Sequence, residues 1–266
     1  MLGSHSKAVH LGELKNLVKE DGGCHICQPP EACELFHDIK DIPAHDLYET
    51  IFSRVPEGIE ILIDNSKKPK WFEQFIHDDR YDIRLIHLIR DPRALARRWL
   101  MRFEEKKIAG REKFKQIWRN PLSLFRLLFS DVLDVAIYKW YSQNSKIADF
   151  IEKSKKPYKI VSYRNIALKP DRTLAELCSW LDISYEPAQK EYWNFSHHGT
   201  EKYQYKWVGT QQANNSYFDL RWKSYLSEEQ MTFVENHHLV HKLLNRLGLQ
   251  LHDDGLDNVS KDSKKN

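Results

Sequence analysis

The chain has 266 residues, of which 41% are hydrophobic and 30% are charged, so it is not a disordered protein and is long enough for one large domain or two small ones. Its 41 basic and 38 acidic residues leave a formal net charge of only +3, which excludes a general nucleic-acid coat and requires functional positive charge to be local. Without an apolar run of about 18 residues or a secretory signal in residues 1–14, no membrane segment is predicted, and the cytoplasm is the default location.

Short apolar runs rich in β-branched residues predict buried strands at residues 59–63, 83–89 and 158–162. Helical patterns lie between and after these runs. Asp91 and Pro92 favour a helix start directly behind the second strand, because Asp is a good N-cap and Pro a good first helical residue. Strands that alternate with helices in this way predict an α/β fold with a parallel sheet.

Further helices are predicted in the C-terminal half of the chain. A long helical region covers residues 122–154, and Pro170 begins another helix with apolar residues at helical spacing. Ser227 and Gln230 form a capping box before a last helix, which ends near Gly248.

The last stretch of the chain, LHDDGLDNVSKDSKKN, is polar and lacks periodicity. We therefore predict a single domain over residues 1–252 and a disordered tail over residues 253–266.

The segment from residue 90 to residue 115 is strongly basic, with ten Lys or Arg and four Asp or Glu. One interpretation is an amphipathic helix with a solvated basic face. Arg90 favours an anion site instead, because it ends a predicted strand, where open α/β sheets bind ligands and a guanidinium can hold a phosphate with two hydrogen bonds. Polar or basic residues also follow the other strands, at 64–68 and 163–164, so the three strand ends are expected to open on one edge of the sheet.

The segment LIRDPRALARRW, residues 88–99, resembles the 3'-phosphate-binding segment of sulfotransferases that use 3'-phosphoadenylyl sulfate (PAPS). In that family a strand ends in Arg, and a Ser usually stands eight residues later. Arg90 matches the Arg, whereas Arg98 occupies the Ser position. Residues 61–69 resemble the family's strand that ends in Asp-Ser-Ser-Lys. Other similar segments, in the family's order along the chain, are 2–14, 161–183 and 218–230.

This resemblance implies a three-layer parallel sheet of the P-loop NTPase-like sulfotransferase type. It also implies transfer of a sulfuryl group from PAPS to a hydroxyl or amine of a carbohydrate, a lipid or a small molecule, with no metal. The nucleotide-binding residues that it implies are Arg90, Arg98, Tyr163 and Lys206. Ser66 and Lys67 would act on the sulfuryl group. From the residues alone, Tyr163 is equally an aromatic at a strand end, Lys206 a solvated lysine, and 64–68 a turn closed by exposed lysines.

The family's Gly- and Ser-rich loop, whose backbone N–H groups cradle the 5'-phosphosulfate, has no counterpart in this sequence. The first βα unit of the fold is therefore expected to be missing, which would leave the chain inactive as it stands. Three explanations are open: the first residue is an internal methionine of a longer protein, the chain is a decayed homologue, or it keeps nucleotide binding for another purpose. In the first case a membrane anchor or a Golgi location is an alternative to the cytoplasm.

The main alternative function is a non-catalytic protein that binds nucleotide or RNA through residues 90–115. Aromatic residues do not interleave with the basic ones as a base-stacking surface requires, and the net charge is low, so no nucleic-acid partner is expected. A kinase-like phosphotransferase has no support, because the sequence lacks a GK[ST] segment.

The segment GGCHICQPPEAC contains Cys24, Cys27 and Cys33. A C-x-x-C pair with a third Cys can bind zinc, with His37 or His45 as a fourth ligand. Alternatively, two of these cysteines can form a disulfide, or all three can remain free thiols. The sequence leaves the three alternatives open.

Overall fold

The structure, a computed structural model, describes residues 1–19, 24, 27, 29, 32–106, 131–195 and 218–259. The chain divides into two compact units. The first takes the described residues of Met1–Arg84 and Lys169–Tyr217, and the second takes those of Leu85–Leu168 and Phe218–Asn266. The described strands pair two by two in three small sheets. The chain is thus a mixed α/β protein, and the wider three-layer sheet stays a prediction.

The secondary-structure elements are numbered in chain order. The strands are β1 (Ala8–His10), β2 (Ile61–Ile63), β3 (Leu85–Ile89), β4 (Tyr158–Ser162), β5 (Leu249–His252) and β6 (Gly255–Asn258). The helices are α1 (Leu14–Lys19), α2 (Leu47–Arg54), α3 (Pro69–Phe72), α4 (Pro92–Lys106), α5 (Val132–Ser154), α6 (Tyr163–Leu168), α7 (Pro170–Trp180), α8 (Trp222–Tyr225), α9 (Glu228–Glu235) and α10 (His238–Leu247). Short 3₁₀ helices cover Leu2–Ser4, Ala44–Asp46 and Pro187–Asn194. Across the described part of the chain, no helix combines the length and the apolar character that a membrane span needs.

The first unit is built around the parallel pair β1 and β2, with Ala8 opposite Ile61 and His10 opposite Ile63. Strand β2 confirms the predicted strand at 59–63, although it is two residues shorter. Strand β1 was not predicted, because three residues are too few for an alternating pattern to be recognised.

The core of the first unit lies between α1, α2 and α3 and the turns that follow Cys33. Buried side chains from these elements contact one another, and they are Leu11, Leu14, Leu17, Cys24, Cys33, Leu35, Phe36, Ile39, Leu47, Ile51, Trp71 and Phe75. Helix α7 begins at Pro170, as predicted, and buries Leu174, Leu177 and Cys178 on its apolar face.

The second unit contains the parallel pair β3 and β4, in register from Leu85 opposite Tyr158 to Ile89 opposite Ser162. Both strands were predicted. Strand β3 is buried on one face, where His87 and Ile89 lie, and exposes large apolar side chains on the other. Buried and exposed side chains therefore alternate along β3, as in a strand with one buried face. Its apolar sequence alone predicts a strand that is buried on both faces.

Helices cover the buried face of this sheet. Helix α4 begins at Pro92, as predicted, and packs against α5, which also contacts α10 and β3. Helix α5 begins behind Asp131, whose side chain accepts the backbone N–H of Asp134 at 2.8 Å. The predicted helical region begins at residue 122, but residues 122–130 lie outside the described part of the chain.

The predicted last helix is two helices, α9 and α10. The capping box at the start of α9 is confirmed, with Ser227 and Gln230 each bonding the other's backbone N–H, at 3.2 and 3.0 Å. The break falls at His237, whose Nδ1 accepts the N–H of Leu239 at 3.2 Å, so its Nε2–H donates to Asp134 at 2.9 Å. Helix α10 ends at Leu247 and is capped by Gly248, which adopts the left-handed conformation (φ 65°) that favours glycine.

Ordered structure continues past Asp253, where the sequence predicts the start of a disordered tail. Strands β5 and β6 form an antiparallel hairpin in which Leu256 is buried. Arg164 holds this hairpin, with its guanidinium 2.7 Å from Asp254 and 2.9 Å from Asp257. The prediction of a disordered tail therefore needs correction for residues 253–259. This polar segment is held in place by Arg164, which is distant from it in sequence. Residues 260–266 lie outside the described part of the chain.

Candidate functional site

The register of β3 and β4 brings Arg90 and Tyr163 together. Ile89 lies opposite Ser162 in this parallel pair, so the residues that follow the two strands, Arg90 and Tyr163, lie at the same end of the pair. The guanidinium carbon of Arg90 lies 4.3 Å from the centroid of the Tyr163 ring. A guanidinium at this distance from an aromatic face is held by a cation–π interaction, which orients it without using its hydrogen-bond donors.

The backbone carbonyl of Arg90 is hydrogen-bonded, whereas its side chain has an N–H donor, at Nε, that is not bonded within the described residues. The buried Trp140 on α5 donates its indole N–H to the Arg90 carbonyl at 2.9 Å. Arg90 Nε is shielded from solvent, and no described residue accepts a hydrogen bond from it. Buried donors usually have a partner, so an unsatisfied guanidinium N–H at a strand end is suited to an anion such as phosphate.

More aromatic and basic side chains surround this pair. The Phe218 ring lies 6.3 Å from the Tyr163 ring at an angle of 34°. Arg97 lies on α4, and its guanidinium carbon is 5.4 Å from the centroid of the Tyr225 ring. Like Arg90, it has a buried Nε without a hydrogen-bond partner among the described residues. The end of the β3–β4 pair therefore presents two aromatic rings beside the Arg90 guanidinium.

Asp219 supplies negative charge near this edge, and Arg221 largely balances it. The Arg221 side chain donates two hydrogen bonds of 2.7 Å to Asp219. This bonding is the main reason that the pKa of Asp219 falls to about 2, and the charge of Arg97 lowers it further. Asp219 is therefore ionised at neutral pH, and an incoming anion has to avoid it.

The basic stretch is not a single solvated face, because its arginines differ sharply. Arg93 is only 2% exposed and forms ion pairs of 2.7 Å with Asp91 and with Glu235. Its charge is used inside the protein. Arg98, in contrast, is exposed, and no described residue forms a hydrogen bond or an ion pair with it. A role for Arg98 at a phosphate stays a prediction.

Ser66 and Lys67 lie in the first unit, in the loop after β2. The Ser66 hydroxyl is buried, donates to Asp64 at 2.5 Å and accepts the backbone N–H of Lys15 at 3.0 Å. Lys67 has a left-handed backbone (φ 56°), and its exposed side chain pairs with Glu13 at 2.7 Å. Both side chains thus have partners within the protein, and their predicted catalytic role stays a prediction.

Asp64 organises this loop, although the sequence analysis did not single it out. Its second carboxylate oxygen accepts the Tyr48 hydroxyl at 2.8 Å and the Trp71 indole N–H at 2.9 Å. Burial, and then the charge of Asp64, raise the pKa of Tyr48, so the phenol stays protonated and donates. A polar residue directly behind a predicted strand was the available sequence signal, but its partners on α2 and α3 were not predictable.

The remaining predicted site features are only partly described. Lys206 lies outside the described part of the chain. Because β2 belongs to the first unit and β3 with β4 to the second, a common edge for the three strand ends stays a prediction. Within the described residues, the metal-binding side chains that come together are Cys24, Cys27 and Cys33 of the first unit.

Comparisons with known proteins return little. No protein-family model matches this chain, and no curated protein matches it. Among solved structures, it is similar to one described as the sulfotransferase domain from the curacin biosynthetic pathway. The two chains are 13% identical, the TM-score is 0.49, and the match covers 94% of this chain and 92% of the other. A likeness of this strength does not by itself assign a function.

Proposed function

We propose that this protein binds PAPS through Arg90 and Tyr163 and transfers its sulfuryl group to a hydroxyl or amine of an acceptor. The observation that carries the proposal is the Arg90 guanidinium, which stacks on Tyr163 at the end of β3 while its buried Nε has no partner among the described residues. The resemblance of residues 88–99 to a 3'-phosphate-binding segment supports the same assignment.

In this proposal Arg90 holds the 3'-phosphate, and the rings of Tyr163 and Phe218 provide flat apolar contact for the adenine. The acceptor oxygen or nitrogen forms a bond to sulfur as the bond from sulfur to the bridging phosphate oxygen breaks. The acceptor gives up a proton, and adenosine 3',5'-bisphosphate leaves. Positive charge near the bridging oxygen lowers the barrier to this transfer.

The test is calorimetric titration with two nucleotides, adenosine 3',5'-bisphosphate and 5'-AMP, which lacks the 3'-phosphate. The wild-type protein is expected to bind the bisphosphate with a micromolar dissociation constant, about −8 kcal/mol. Arg90→Ala should weaken that binding by about tenfold or more, the effect of losing a charge-assisted hydrogen bond. It should change AMP binding little.

Arg246→Ala is the matched control, because Arg246 is an exposed arginine of the same unit that pairs with Asp149 and Glu152. It should bind both nucleotides like the wild type. Equal weakening of both nucleotides by Arg90→Ala, or no bisphosphate binding by the folded wild type, would overturn the assignment. If the bisphosphate binds but sulfuryl transfer from PAPS is absent across carbohydrate, lipid and phenol acceptors, nucleotide binding stands without catalysis.

A further inference from the structure

Three cysteines of the first unit converge, although eight residues of chain separate Cys24 from Cys33. The Sγ atoms of Cys24, Cys27 and Cys33 all lie within 4.8 Å of one another. A tetrahedral zinc ion with Zn–S bonds of about 2.3 Å holds its thiolates about 3.8 Å apart. The observed separation is therefore close to the spacing that a shared metal requires.

The cluster is embedded in the core of the unit. Cys24 and Cys33 are 0% exposed and contact the apolar side chains around Leu35 and Phe36, and Cys27 packs against the same core from a half-buried position. The three thiols therefore share one place in this core and do not lie among separate apolar neighbours.

The backbone around Cys33 forms a tight turn. The N–H groups of Phe36 and His37 both donate to the Cys33 carbonyl, at 3.2 and 2.9 Å. This turn fixes the backbone from which the Cys33 side chain reaches the other two sulfur atoms.

A divalent cation suits such a cluster, because it replaces the thiol protons and supplies the positive charge that buried thiolates need.

We propose that Cys24, Cys27 and Cys33 bind one zinc ion that holds the Cys-rich segment on the core of the first unit. Zinc is favoured because it combines a preference for thiolate sulfur with tetrahedral geometry. Binding replaces three S–H protons by three Zn–S bonds and releases three protons. The described residues leave the fourth position unassigned, since His37 faces the Cys33 carbonyl and His45 pairs with Asp46.

The experiment is to purify the full chain from cells grown with zinc, dialyse it against metal-free buffer and measure metal by mass spectrometry. About one zinc ion per chain is expected. Cys27→Ser should lower the zinc content at least tenfold, and its half-buried position makes this the substitution that the fold tolerates best. Cys178→Ser is the control, because Cys178 is a buried cysteine of the same unit that bonds Gln189 at 3.3 Å instead. It should keep one zinc ion.

A second measurement uses only the wild-type protein and does not depend on a variant that folds. Titration with a mercurial thiol reagent should release the zinc, detected with a coloured chelator, after about three thiols have reacted. Cobalt substitution should give the absorption of tetrahedral thiolate coordination. Purified protein without zinc that also fails to take up added zinc, full zinc content in Cys27→Ser, or a disulfide between two of the three cysteines would each overturn the proposal.

Discussion

Replacing Arg93 by methionine is expected to lower the free energy of unfolding by about 3–5 kcal/mol, the usual cost of breaking a buried ion pair by removing one partner. Arg93 is nearly inaccessible to solvent and lies between two carboxylates. Methionine has a similar volume and no charge, so the loss measures the ion pairs together with the guanidinium contacts to the His252 carbonyl and the Trp222 ring, rather than a cavity.

The structure shows where this free energy comes from. Arg93 donates to Asp91 at 2.7 Å from Nη2 and at 3.1 Å from Nε, and to Glu235 at 2.7 Å from Nη1. The Asp91 side chain is 9% exposed and that of Glu235 is 40% exposed. Water can solvate Glu235 after the substitution but not Asp91, so the stranded Asp91 carboxylate accounts for most of the loss.

The assay is urea unfolding followed by tryptophan fluorescence and far-ultraviolet circular dichroism, with Arg90→Met as the comparison. Arg90→Met should cost only about 1 kcal/mol, because its described side-chain contact is the cation–π interaction with Tyr163. Adding Asp91→Asn to Arg93→Met should restore part of the stability, since the buried negative charge is removed. A loss below about 1 kcal/mol for Arg93→Met, or equal losses for the two single variants, would refute this account.

Two further predictions concern stability. Asp64→Asn should lower the free energy of unfolding by about 2–3 kcal/mol, because one Asp64 oxygen accepts from Tyr48 and Trp71 and the other accepts from Ser66. Whichever way the amide is turned, its nitrogen faces donors that it cannot accept from. Urea unfolding checks this, and the variant Asp79→Asn, at an exposed position, should be as stable as the wild type. Burial lowers the pKa of His87 below its ordinary value of 6.5, and its Nε2–H donates to Asn144 at 2.9 Å. As the pH falls, His87 is therefore protonated in the unfolded chain before it is protonated in the folded protein. The stability that neutral His87 contributes is complete above pH 6.5 and is lost as the pH falls through the lower pKa that His87 has in the folded protein. Unfolding at a series of pH values should show a steeper acid loss for the wild type than for His87→Met, and parallel curves would contradict the prediction.

Much of the local structure could be predicted from the sequence, because local signals determine it. Strands β3 and β4 follow from short runs of β-branched residues, and the starts of α4 and α7 follow from Pro92 and Pro170. The capping box can be predicted from Ser227 and the three residues that follow it in the chain. Arg90 could be selected as a candidate because it ends a strand.

Only the tertiary structure decided which charged side chains are paired inside the protein and which keep a donor without a partner among the described residues. Arg93 and Arg90 are close in sequence, yet Arg93 pairs both with its neighbour Asp91 and with Glu235, which lies 142 residues away. The hairpin of β5 and β6 depends likewise on Arg164, and the break before α10 on the bond from His237 to Asp134. The cysteine segment allowed a metal, a disulfide or unmodified thiols, and convergence of three sulfur atoms favours the metal. In each case the deciding contact joins groups that the chain brings together only by folding, and pattern or propensity along the sequence carries no information about that distance.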